Sequence, residues 1–502
     1  MDPSFRLAPT LEDVVHICRA VDGLPLAIEL AAGHVRTLSP PLLRARLGAR
    51  LGSASAAPRG VPPRQQTVSA TIDWSLQLLG AAEQDLFMRL GVFAGAVLLE
   101  AIEEVCGESG SDVVESLGRL VDHSLVRRVS GARGESRFVL LELLRERARE
   151  LLASEAEVEA ERARRHAEYV AAFLDELDEA RWSEASGRWI DVITGSLAEI
   201  RLAHAWAVAH QVARLHAHIT AALGTYWHRE GHHDEGRRWV AEALEHEAEL
   251  DDYVVARTYL AAGFVEWTQD QPLARRYWDE SLRRFRALGH KRYLSYSLAW
   301  VSGTYFGDSS HFDLAMRQCD EALALARQVG ERPLLAQILN IRGELTRVHG
   351  DDDLALAAYT EGLELAKAAR DEAHVSMFLG NLSFLADHRG DHAEARELCR
   401  EALRRSWPIG RRLVAAMALA QLAGAEQGLG RTERGALLVG AADEGMRRLG
   451  ATLHPGDRPE LERVIAALRA ELGEETYRRV STEGAALSLD EAVMLALAEG
   501  DT

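Results

Sequence analysis

The sequence predicts a mainly all-α protein: a helical solenoid preceded by a small helical domain and a winged-helix domain with a two-stranded hairpin. Three observations lead there. From about residue 155 onward apolar residues recur at helical spacing, with no strand-like alternation. Between residues 66 and 152, helical segments are interrupted by two short strand-like runs. Across residues 210–450, small residues recur in three columns with a period of about 40.

At 502 residues the chain has room for about three domains of ~150 residues each. Charged residues make up 27% and hydrophobic ones 47%, which excludes disorder and collagen. The net charge of −19 argues against broad binding to nucleic acid or anionic membrane, since both need a positive field. Lys291 and Lys367 are the two lysines among the 58 bases, and neither lies in a Walker A loop, which needs a lysine at the phosphates. The four cysteines, Cys18, Cys106, Cys319 and Cys399, form no C-x-x-C, so free thiols are expected rather than a zinc site or disulfides. The first residues lack a signal-peptide core, and the longest charge-free run, Tyr293–Gly307, is too short and polar for a membrane span. A cytoplasmic protein is expected.

The elements follow in order. Residues 1–62 form a helical region closed by a Ser/Ala/Pro/Gly-rich loop, with Ser39 as N-cap and Pro40 and Pro41 in the first turn of a helix. Residues 63–152 hold helices at Thr71–Leu79, Glu83–Val92, Leu98–Val105 and Val113–Val121. The strand-like runs Ser124–Val129 and Arg137–Leu140 follow, joined by Gly131 and Gly134, and then a helix from Leu141. Helices followed by a hairpin make a winged helix. Residues 153–209 read as a helical connector, and 451–502 as a helical cap with helices at Asp457–Leu472 and Leu489–Ala498.

The solenoid rests on the small-residue columns. The first is Gly224, Ala262, Gly303, Gly343, Ser383 and Ala423. The second, Gly236 to Gly435, and the third, Ala243 to Ala442, follow at fixed offsets of 12 and 7. Small side chains let two antiparallel helices approach closely, and each pair then stacks on the next. Gly231, Gly350, Gly390 and Gly430, each five residues before the second column, break the helix pairs. Six such units resemble the tetratricopeptide repeat (TPR), lengthened from 34 to about 40 residues.

The first 150 residues carry a second resemblance. Its segments are Asp22–Ala32 with Gly23-Leu24-Pro25-Leu26, Arg64–Ser75, Leu90–Gly95, Leu120–Leu125 and Phe138–Glu142. Together they resemble the back half of an NB-ARC-type STAND ATPase, in the bacterial branch of LuxR-type and antibiotic regulators. The resemblance implies a nucleotide-binding core before Gly23, where 22 residues stand and no Walker motif occurs. It implies a vestigial nucleotide motif at Gly23, Leu24, Pro25 and Leu26, with Pro25 packing near an adenine. ATP or ADP is therefore expected only through an upstream nucleotide-binding domain in cis or trans, and no cofactor in this chain itself. The family's nucleotide-sensing His-Asp pair is replaced by Leu141-Glu142. The chain is expected to be the C-terminal half of such a regulator, or a shorter descendant that lost the core.

Candidate chemistry is sparse. Arg127, Arg128, Arg133 and Arg137 make a basic wing, but direct DNA binding is not expected at this net charge. His228, His232, His233 and Asp234 cluster at a turn broken by Gly231, so a solvated turn is expected rather than a metal site. Asp251-Asp252 and Asp351–Asp353 complement helix N-termini. No catalytic arrangement has a local signature, and an enzyme is not expected. The TPR resemblance implies a ligand groove along the first helix of each pair. Its offsets give His218, Thr225, His228, Arg229, Tyr259, Glu266, Trp267, Trp300, Thr304, Gln337, Asn340, Glu344, Arg347, Met377, Phe384, Asp387 and His388. The expectation is a non-catalytic sensor or protein-interaction module that binds a protein, peptide or small inducer there. The alternative is a stand-alone TPR adaptor or small-ligand-binding protein with a vestigial N-terminus.

Overall fold

The computed structural model describes residues 10–20, 25–36, 38–51, 71–108, 112–131, 134–183, 189–449, 451, 453 and 456–498. Gly23, Leu24 and Arg133 lie outside them, as do residues 52–70. The chain forms two compact units. One comprises Met1–Phe173 with Asp191–Gln211, the other Leu174–Ile190 with Val212–Thr502.

The first unit opens with α1 (Leu11–Ala20), α2 (Pro25–Gly33) and α3 (Pro40–Leu51). Pro25 and Pro40 both stand at first helical positions, where the missing N–H costs nothing. The winged helix follows as α4 (71–77), α5 (Ala81–Arg89), β1 (Val97–Leu98), α6 (Leu99–Cys106), α7 (Val113–Asp122), β2 (Arg127–Ser130), β3 (Ser136–Val139) and α8 (Glu142–Ala153). The expected hairpin is present and gains a third strand. The order is β1-β3-β2, all antiparallel, with Val97 and Arg128 both opposite Phe138. Two residues are too few to show an alternating pattern, which is why β1 was not legible in the sequence. Leu86, Phe87, Ile102, Leu117, Leu120, Leu125 and Leu144 fill the core.

The helix α9 (Ala156–Ala180) and the helix α10 (Trp189–Ala209) come next. Within the first unit, α10 sends Glu199 onto the Phe93-Ala94-Gly95 turn. Its carboxylate accepts from Ala94 N (2.9 Å) and Gly95 N (2.5 Å), and His166 Nε2 lies 2.8 Å away. Glu199 and His166 are both buried. Arg137 Nη1 donates to the carbonyls of Ala96 and Gly195, so one wing arginine is committed to structure.

The second unit is a run of six helix hairpins. They are α11 (Ala213–Glu230) with α12 (His233–Leu244), α13 (Asp252–Glu266) with α14 (Gln271–Leu288), and α15 (Lys291–Gly303) with α16 (Phe312–Val329). Next are α17 (Arg332–His349) with α18 (Asp352–Ala368), α19 (Glu372–His388) with α20 (His392–Ser406), and α21 (Arg412–Gly428) with α22 (Thr432–Arg448). Then come α23 (Arg458–Leu472), α24 (Glu474–Ala486) and α25 (Leu489–Leu497). No helix among the described residues is long and apolar enough to cross a membrane.

The small-residue columns do what close packing demands. A Cβ on Gly343 would lie 2.2 Å from the Tyr359 ring, and one on Gly362 would lie 2.2 Å from the Phe378 ring. A Cβ on Gly224 would meet the Ala261 backbone at 2.5 Å. The turns use left-handed glycine at Gly231, Gly350, Gly390 and Gly430, with φ of 78°, 89°, 81° and 76°. Asp251 and Asp351 cap their helices through Val254 N (3.0 Å) and Leu354 N (3.2 Å), as their positions lead one to expect. Cys106, Cys319 and Cys399 are buried free thiols, and burial pushes each up to about 12.

Two substitutions test this packing. Gly343→Ala overpacks the α17–α18 contact and is expected to cost about 1–3 kcal/mol in urea unfolding, and no measurable change would contradict the close approach. Glu199→Ala strips the acceptor from two backbone N–H groups and is expected to cost about 1–3 kcal/mol in the transition that reports the winged helix.

Candidate functional site

The first helices of five hairpins, α11, α13, α15, α17 and α19, and their C-caps carry the residues expected to line a groove. The structure gathers them into two sets and sends some elsewhere.

The first set lies between α11, α15 and α19. Arg229 Nη2 donates to His374 Nε2 (3.3 Å), and His374 Nδ1 lies 2.6 Å from Asp371 Oδ2. A relay of arginine, histidine and carboxylate thus joins the first hairpin to the fifth, 145 residues apart. Burial raises the Asp371 carboxyl, but the charge and hydrogen bonds of His374 overcome this and hold it well below the usual range. The His228 ring packs against Phe264 and Trp300, both at 6.0 Å between centroids. Thr225 Oγ1 receives Arg181 Nη1 at 3.4 Å. Arg181 also lies over the rings of Trp182 (4.2 Å) and Tyr296 (5.4 Å). His218 Nε2 sits 2.9 Å from Asp175.

Beside it is a buried ionic cluster. Arg257 Nη2 lies 3.5 Å from Asp178, and the Tyr293 hydroxyl donates to the same carboxylate. Burial pushes Asp178 up, yet Arg257, Arg181 and Tyr293 together outweigh it and hold the carboxyl below its ordinary value. Tyr253 and Tyr293 pack over Arg257 at 5.7 and 5.4 Å.

The second set converges on α17 and α19. Arg347 Nη2 donates to Glu344 Oε2 (2.6 Å), Asp457 Oδ1 (2.5 Å) and Gly456 O (3.3 Å). The Tyr359 hydroxyl donates to Glu344 Oε1 (3.1 Å), and the Arg347 guanidinium lies 4.5 Å from the Phe384 ring centroid. His388 Nε2 meets Glu460 at 3.0 Å, and Asp387 meets Arg463 at 3.3 Å. Glu344, Arg347, Phe384, Asp387 and His388 are therefore gathered around the chain's own residues 456–464.

Other residues go elsewhere. The Tyr259 hydroxyl donates to Glu247 (2.8 Å) in the turn after α12, and Glu266 pairs with Arg237 on α12 (3.0 Å). Trp267 is buried against Trp278 and Trp300 in the core between hairpins. Thr304 bonds back to Val301 O (2.6 Å). Asn340 Oδ1 accepts from Asn381 (2.8 Å), tying α17 to α19. Gln337 and Met377 are half-buried. Of the histidine turn, His232 stacks on Tyr226 (5.8 Å), while the His228 and His233 rings stand 6.4 Å apart. Pro25 opens α2, and the rest of that motif's side chains lie outside the description. His374, Asp457 and Glu460 were missed because each meets a partner from a remote part of the chain, and Asp371 because an acid that caps its own helix needs no other explanation. Asp457 and Glu460 also occupy helix-start positions, where an acid needs no other explanation.

Residues 79–153 match the family model of a winged helix-turn-helix domain. "Putative HTH-type transcriptional regulator Rv0890c" of Mycobacterium tuberculosis (strain ATCC 25618 / H37Rv) is 33% identical over 424 residues, covering 80% of this chain and 46% of that protein. An uncharacterized protein of the same strain is 38% identical over 161 residues, 31% of this chain and 41% of its own. The chain spans about half the length of the curated relatives it matches. In fold it is similar to a crystal structure of a STAND protein with a tetratricopeptide repeat sensor from Pyrococcus horikoshii. The TM-score is 0.50 at 15% identity, over 94% of this chain and 74% of that one.

The second set has a predictable pH dependence. Burial and the Glu344 charge push Asp457 up to about 7 against the pull of Arg347. A carboxyl raised on docking stabilises the docked state fully below its free value near 4, and that contribution is lost as pH rises through 7. His388, raised chiefly by its bond to Glu460, adds stability that is lost above its ordinary 6.5. Glu460 is held at about 2 by His388, so its contribution falls away only in acid. Tyr359, Asp352, Asp387, His392 and Arg463 also face this contact. The opening free energy of residues 456–464, from hydrogen exchange corrected for intrinsic rates, is expected to fall by about 1 kcal/mol between pH 6 and 8. Asp457→Asn is expected to remove most of that fall.

Proposed function

We propose that this chain is the sensor and protein-interaction part of a STAND-type transcriptional regulator, non-catalytic as it stands. The observation that carries the reading is a TPR-like solenoid joined in one chain to a winged helix, in a sequence similar to HTH-type regulators. The partner or inducer binds along α11 to α21, where buried cations and aromatic rings offer charge and stacking. The NB-ARC resemblance supplies the rest of the proposal. A nucleotide-binding domain, in cis or in trans, would be held or released by the winged helix according to what the solenoid holds.

The winged helix itself supports a role in protein contacts rather than base reading. On α7, the helix before the hairpin, Val114 is 54% exposed, and Arg119 is taken by Glu115 (2.5 Å) and Glu83 (2.8 Å). A helix carrying Glu115 and Asp122 beside its one arginine offers little to phosphates.

Two measurements test the reading. The purified chain is expected to give no retardation of duplex DNA at about 50 mM salt, and a shift at that salt would overturn the protein-contact role. In the source organism, the combined Gln337→Arg and Met377→Arg variant is expected to reproduce the transcript profile of a deletion. Leu354→Arg, on the outer helix α18, is expected to keep the wild-type profile. A concave-face variant with a wild-type profile and an unchanged thermal melt would sink the proposal.

A further inference from the structure

The second set of groove residues is filled by the chain itself, and the way it is filled carries information. Residues 456–464 cross the faces of α17, α19 and α21. Asp457 reaches Arg347, Glu460 reaches His388, Arg463 reaches Asp387, and Val464 packs at Gly424, where an added Cβ would stand 3.2 Å from it. Leu461 and Val464 also line a cleft with Phe384, Met417 and Gln421.

Asp457 is the N-cap residue of α23, a position at which aspartate normally accepts from the helix's own N–H groups. Here its side chain makes no cap bond, and the carboxylate is spent on Arg347. Arg347 and Asp457 have side chains 1% and 4% exposed. A buried guanidinium strongly favours carboxylate partners over water, and Arg347 takes Glu344 from its own helix and Asp457 from the crossing segment. The outer end of the contact is different in kind. His388 and Glu460 are about a quarter and a fifth exposed, and Arg463 is half exposed, so these pairs open at small cost.

We propose that residues 456–464 are an internal stand-in for the partner. The half of the groove at Arg347, Phe384, Asp387 and His388 then recognises an acidic helical segment of another protein, which enters by displacing them. The segment presents a carboxylate at its helix N-cap to Arg347 and a second one turn on to His388. An arginine three residues later meets Asp387, and apolar side chains on the same face enter the cleft. The pattern is Asp-x-x-Glu-Leu-x-Arg-Val, as this chain carries it. This rests on the reading that the concave face is where a partner binds, and adds which chemistry it selects and what holds the face shut.

The test uses the full chain and a fluorescent peptide of residues Gly456–Ala470. Glu460→Gln with Arg463→Gln weakens the internal segment at its exposed pairs. The peptide is expected to bind that variant at least about tenfold tighter than wild type, since a competitor inside the molecule lowers apparent affinity by its occupancy. The same peptide with Gln for its Glu and Gln for its Arg is expected to lose the binding. Equal affinity for both chains, or no binding to a variant whose residues 456–464 exchange faster than in wild type, overturns the proposal. Should the variant fold poorly, excess peptide added to wild type is expected to raise hydrogen exchange in 456–464. Unchanged exchange there overturns it equally. A failed peptide experiment alongside a deletion-like Gln337→Arg and Met377→Arg profile would sink this inference and leave the broader reading standing.

Discussion

The constraint on which the second unit depends is the close approach of paired helices at small residues. At Gly343 and Gly362 a ring edge occupies the space a Cβ would need, and at Gly224 a backbone does. With the hairpins packed this closely, Arg229 of the first reaches His374 of the fifth, and the Gly231 turn lies beside the Leu449 carbonyl. Larger side chains in the columns would open the hairpins and lose both meetings.

The close packing leaves charge in the interior. Arg229, Arg257 and Arg347 sit where water is scarce, and each is answered by a carboxylate, directly or through a histidine. Paired charges of this kind add little net stability compared with apolar packing, but removing one partner is costly. They are therefore better suited to fixing which surfaces meet than to holding the fold together. Arg347 shows the consequence. Its second carboxylate comes from a segment more than a hundred residues away, so the state of that segment and the state of the groove are one equilibrium.

Much of the architecture was legible because it is written in local periodicity. The small-residue columns, the turn glycines, the capping aspartates and the hairpin of the winged helix all depend on neighbours within one turn or one hairpin. The groove was legible only in part. Family offsets select Arg347 and His388, but they also select Tyr259 and Glu266, whose polar groups turn to Glu247 and Arg237. Offsets fix which helix a residue stands on and not which neighbour its side chain reaches. The relay at His374 and the crossing of Asp457 were not legible, since no spacing rule links residues 145 or 110 positions apart.

The central claim is that Arg347 and Asp457 form one energetic unit that holds residues 456–464 across the groove. A double-mutant cycle tests it most directly, with Arg347→Met, Asp457→Asn and the double variant, read as the opening free energy of α23 by hydrogen exchange. The account predicts a coupling of at least about 1.5 kcal/mol. Additivity within about 0.5 kcal/mol would contradict it.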